Sequence, residues 1–127
     1  MITEDYVSFE TAKLLKEKGF DEYGMYFYTL KDEGREGYKS NKRLQEFAHN
    51  SEPEIKERAV SCPTLQMAMK WLREVHNIAL NVCYLVGMWS YSVYRTDVSS
   101  SGYNSENFDT YEEACEDGIK FCLENFI

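Results

Sequence analysis

Apolar and polar positions along the chain fall into stretches of two different periods. Phe9, Ala12 and Leu15 recur at helical spacing, with Ser8 placed to cap the first turn and Val7 and Ala12 placed as a hydrophobic staple. Gly19 suits the residue after the last turn, where positive φ costs glycine little, and Phe20 can fold back over that turn. These signals predict a helix over 8–18. Gly24–Leu30 is rich in aromatic and β-preferring residues and predicts a strand, followed by turn residues at 31–37 and room for a short return strand at 38–40.

The segment 41–60 has a weaker pattern. Leu44, Phe47 and Ala48 have helical spacing, Asn50-Ser-Glu-Pro53 interrupts it, and 49–60 is treated as a connection in which Glu54–Val60 fits either a short helix or a strand entering the next element. Pro63–Asn77 follows as a helix of strong helix formers. Its polar residues Gln66, Lys70, Arg73, Glu74 and Asn77 occupy one narrow stripe, and apolar residues cover the rest. A helix so apolar is either central to the fold or carries a contact surface.

Directly after it, Ile78, Leu80, Val82 and Tyr84 alternate with Ala79, Asn81 and Cys83. Beyond Val86-Gly87-Met88, Trp89, Tyr91 and Val93 alternate with Ser90 and Ser92. Two period-two runs around a glycine connection predict an antiparallel hairpin with one buried face. Asp97–Asn107, with its serines and asparagines, reads as an exposed loop. Thr110-Tyr-Glu-Glu113 matches a capping box and opens an amphipathic helix over 110–125. The order α-β(β)-α-β-β-α predicts one α+β domain over 1–127. Its expected form is a two-layer sandwich, a mainly antiparallel sheet with helices on one side.

Charge narrows the range of partners. The chain of 127 residues carries −8, and residues 96–127 hold eight acids against the single base Lys120. An acidic surface repels a phosphate backbone, so nucleic-acid binding is disfavoured. The one basic cluster, Arg35, Lys39, Lys42 and Arg43, is broken by Glu36. Weak nucleic-acid binding through 35–43 stays an alternative. No apolar run approaches the length of a membrane span. The N-terminus shows no basic-then-apolar leader pattern, and Cys62, Cys83, Cys115 and Cys122 form no Cys-x-x-Cys pair. A cytoplasmic, reducing setting is the expectation.

Candidate chemistry is sparse. His49 and His76 are the neutral-pH bases, without the further ligands that a metal centre needs. Glu112, Glu113, Glu116 and Asp117 lie where a helix dipole favours anions, which accounts for them without catalysis. There is no phosphate-cradling loop or nucleophile elbow. Neither a catalytic set nor a metal or cofactor is therefore expected. What exceeds the needs of a small core is a set of large apolar residues on the central helix. Met67, Met69 and Trp71, with His76 at the helix end, are the interface candidates, for a protein partner or a second copy. The alternative is a ligand-binding or enzymatic domain with Tyr, Trp and His76 lining a pocket between sheet and helices.

The run Pro63-Thr-Leu-Gln-Met-Ala-Met-Lys-Trp-Leu-Arg-Glu-Val-His-Asn-Ile78 and the closing Tyr111-Glu-Glu-Ala114 resemble a group of small uncharacterised proteins of phages and prophages in gut anaerobic bacteria. The likeness covers roughly 60–127 and the Glu-Lys-Gly-Phe turn at 17–20. It implies a small accessory protein and brings no site residues.

Overall fold

The computed structural model describes residues 1–29, 43–53, 59–99 and 101–127. The chain is α+β, and its described residues form three helices and two three-stranded antiparallel sheets. Two compact units divide it: Tyr6–Thr64, and Met1–Asp5 together with Leu65–Ile127.

In the unit Tyr6–Thr64, helix α1 spans Phe9–Glu17. The Ser8 side chain accepts the Thr11 N–H, and both staple residues, Val7 and Ala12, are buried. Its end is a Schellman turn. Gly19 (φ 95°) donates to the Lys16 carbonyl, and the Phe20 N–H reaches back to Leu15 at 2.8 Å. Strand β1 (Gly24–Thr29) is the middle of the order β2-β1-β3, between Arg43–Ala48 and Ala59–Ser61. The Tyr28 hydroxyl donates to the Val7 carbonyl at 2.7 Å, tying β1 to the lead-in of α1.

The weakly patterned stretch supplies two strands of this unit. Residues 43–48 form strand β2 despite the helical spacing of Leu44, Phe47 and Ala48, and the supposed connection 49–60 ends in strand β3. Both strands are made by pairing with β1, which isolated spacing does not reveal. The register of β1 on β2 slips between Gly24 and Tyr26, a bulge that breaks strict alternation as well. The expected turn at 31–37 and return strand at 38–40 lie outside the described residues, as does most of the basic cluster.

In the other unit, α2 (Leu65–His76) leads into β4 (Ile78–Leu85) through a single residue, Asn77. Asn77 has φ 57°, the left-handed conformation in which asparagine can end a helix, and its carbonyl takes the Thr96 N–H. Strand β5 (Met88–Arg95) returns in continuous register from Ile78↔Arg95 to Leu85↔Met88. The predicted hairpin is thus present. A short β6 (Tyr103–Asn104) lies in the expected loop and pairs with β5.

Helix α3 (Tyr111–Asn125) is capped by Thr110, the first residue of the predicted capping-box motif. Thr110 Oγ1 accepts the Glu113 N–H and donates to its carboxylate. Helices α2 and α3 both pack on β4. The buried face of this sheet carries Ile78, Leu80, Tyr91 and Val93. Gly118 lets α3 come close enough for its backbone to rest on Leu80, and the Tyr91 hydroxyl donates to Asp117 at 2.8 Å. One layer of two helices on one antiparallel sheet is therefore realised within this unit.

Candidate interaction surface

The four interface candidates separate sharply. Met69 and Trp71 (4% exposed) are buried, as are Leu65, Ala68 and Leu72 on the same helix. Their large side chains fill the core and are not offered to a partner. Met67 is 48% exposed, and His76 is half-buried with its ring edge-on to Trp71, centroids 4.5 Å apart.

His76 Nε2 is buried and has no hydrogen-bond partner among the described residues. Burial holds its pKa below the usual histidine value, and the Arg95 charge lowers it further. A group whose folded pKa is depressed contributes stability in full above its unfolded value, near 6.5, and loses it as pH falls through the folded value. Below pH of about 6.5 the wild-type chain is expected to lose urea stability, and His76→Phe to flatten that part of the profile. Parallel profiles for the two proteins would remove His76 as the source.

Apolar exposure is concentrated elsewhere, at the tip of the hairpin. Tyr84 (60%), Leu85 (73%) and Val86 (89%) stand in solvent. Val86 and Gly87 form the two-residue turn with φ of 49° and 79°, both left-handed. Such a turn favours Asn-Gly, and a β-branched residue at positive φ is a conformational outlier costing about 1–2 kcal/mol. The chain holds a strained, water-exposed valine where asparagine would be unstrained and soluble.

The hairpin is also electrically blank. No charged residue occurs from Val75 to Tyr94 with His76 neutral, the longest such stretch of the chain. On the sheet face away from the helices, Asn81 and Cys83 are exposed, opposite Ser92 and Ser90. The sequence displayed this run openly. What it lacked was the turn position, which makes Val86 left-handed, and the exposure of β4 beyond Leu80.

Cys62, Cys83, Cys115 and Cys122 are thiols, with no disulfide among the described residues. Burial pushes the Cys122 thiol up to about 12 and Cys115 up to about 11, with Glu112 adding to the second shift and the Tyr111 hydroxyl opposing it. Neither is a thiolate at neutral pH. The Tyr91 phenol is also raised, by burial and by Asp117 beside it. Among the described residues no three His, Cys, Asp or Glu converge as a metal centre requires. A cavity of about 290 Å³ lies among Glu4, Asp5, Gln66, Tyr111 and Glu112, and one of about 280 Å³ among Lys16, Phe20, Asp21 and Asn50. Neither is lined by Trp71, Trp89 or His76. No helix among the described residues is long and apolar enough to cross a membrane.

Compared with known proteins, the chain matches no family model, no curated protein and no solved structure.

Proposed function

We propose that this chain is a non-enzymatic interaction protein whose contact surface is the β4–β5 hairpin. The observation that carries this reading is Val86, left-handed and exposed at the end of an uncharged, apolar tip. Strain of this kind persists where a side chain does something that the better-folding residue would not do. A contiguous apolar tip on an acidic chain is the kind of patch that marks a protein contact. An accessory role of this sort also agrees with the resemblance to small phage-associated proteins.

The test sets stability against binding in one variant. Val86→Asn is expected to raise stability by about 1 kcal/mol in urea unfolding, because Asn-Gly fits the turn. The same change is expected to strip away contacts made by the tip, read as protein bands retained from host extract by wild-type chain and lost by the variant. A more stable variant that retains the wild-type bands unchanged would sink the proposal.

A further inference from the structure

We infer that β4 is a docking edge for a second copy of this chain, extending the three-stranded sheet across a two-fold axis. This inference rests on the reading of the hairpin as a contact surface and names its partner.

The first support is the edge itself. Strand β4 is the terminal strand of the order β4-β5-β6, so its other side carries no strand among the described residues. Asn77 accepts the Thr96 N–H, and hydrogen-bonded pairs alternate along an antiparallel ladder. Ala79, Asn81, Cys83 and Leu85 therefore bond to β5. The N–H and C=O groups of Leu80, Val82 and Tyr84 point away from it. Proteins normally blunt such an edge with lysine, proline, a bulge or brevity. Ile78–Leu85 contains no charge and no proline, and it runs in unbroken register.

The second support is charge. At −8, two copies repel each other over most approaches. An antiparallel β4–β4 pairing sets no like charges opposite one another, because the strand has none.

The third is self-complementarity. Outward-pointing residues must pair with outward-pointing residues, which limits the register. A two-fold axis at Val82 pairs valine with valine and Leu80 with Tyr84 of the second copy. It also places exposed Leu85 opposite Ala79. A register shifted toward the strand start would set Leu85 against Asn77, which is left-handed and cannot continue a strand. The Val82 register thus engages both exposed apolar residues of β4, and it puts Asn81 directly opposite Cys83 in a non-hydrogen-bonded pair.

Two variants of the full chain read this geometry. Val82→Pro deletes an N–H that points away from β5, so the hairpin ladder stays intact, as for proline on natural edge strands. Losing both central hydrogen bonds of the dimer is expected to weaken self-association at least about tenfold in sedimentation equilibrium, with the far-ultraviolet circular dichroism unchanged. Asn81→Cys brings a thiol opposite Cys83 of the second copy, within disulfide reach. Under mild oxidation it is expected to give a covalent dimer that Asn81→Cys/Cys83→Ser does not give. A wild-type chain that stays monomeric at its highest soluble concentration, with no cross-link in Asn81→Cys, overturns the second copy as partner. In that case the hairpin reading still stands if Val86→Asn loses bands retained by wild type, and falls with it if those bands are unchanged.

Discussion

Replacing Gly118 with valine is expected to cost about 3 kcal/mol, the upper part of the range for forcing atoms into a packed core. A Cβ built at this position meets Leu80 Cδ1 at 2.7 Å, Cδ2 at 3.0 Å and Cγ at 3.3 Å. Leu80 is itself buried on the central part of the hairpin, so its branch has little free space to turn into. Valine adds two methyl groups to that collision. Gly118→Ala sets two effects against each other. Alanine gains about 1 kcal/mol of helix propensity over glycine, while the contact costs about 1–3 kcal/mol. The contact wins because α3 and β4 must separate to relieve it, so a net loss of about 1 kcal/mol is expected. Urea unfolding followed by tryptophan fluorescence would measure both, since Trp71 and Trp89 belong to the same unit as Gly118. The cause can be isolated by a cycle. Leu80→Ala removes the opposing atoms, so the pair Gly118→Val/Leu80→Ala is expected to lose less than the two single changes added together. Strict additivity would show that the helix backbone, and not the contact with Leu80, sets the cost.

That contact could not be read from the sequence, although both of its elements could. The capping box at Thr110 and the three- and four-residue spacing of Ala114, Cys115, Gly118, Ile119 and Cys122 locate α3 and its buried stripe. Alternation from Ile78 to Val93 locates the hairpin. These signals are local, because capping and periodicity depend on neighbours in the chain. Strands β2 and β3 were illegible for the opposite reason. Arg43–Ala48 becomes a strand through its pairing with β1, and its spacing of apolar residues fits a helix equally well. The candidate surface divides along the same line. Excess apolarity on α2 was visible, but it filled the core with Met69 and Trp71, because a helix packed on a sheet and on a second helix needs more than one apolar stripe. The proposed contact surface rests instead on the absence of charge from Val75 to Tyr94 and on one turn residue. Its meaning depends on Leu85 pairing with Met88, which fixes Val86 and Gly87 as the turn. A connection placed one residue later would have hidden the strain.

The second large effect is expected at Asn50, in the unit Tyr6–Thr64. This side chain is buried and works in two directions. Its Nδ2 donates to the Phe20 carbonyl at 2.7 Å, and its Oδ1 accepts the Ser61 N–H at 2.8 Å. It thereby joins the turn after α1 to strand β3 at a place where Phe20 and Ser61 are both buried. Asn50→Leu keeps the volume and removes both partners. Each buried backbone group that loses its Asn50 partner costs about 1–3 kcal/mol, so a loss of about 2–6 kcal/mol is expected from urea unfolding. Asn50→Asp separates the two bonds. An ionised carboxylate still accepts from Ser61 but faces the Phe20 carbonyl with no proton to give, whereas the protonated acid can serve both. The neutral form is favoured by the fold, so the folded pKa of this aspartate would lie above its unfolded value of about 3.9. With that sign, Asn50→Asp is destabilised most at neutral pH and recovers stability relative to wild type as pH falls through the raised value. Asn50→Leu, which has no proton to bind, keeps the same deficit at every pH. If the two variants instead run parallel from neutral pH to pH of about 4, the Phe20 carbonyl is not the acceptor that matters, and the clamp reduces to the bond with Ser61.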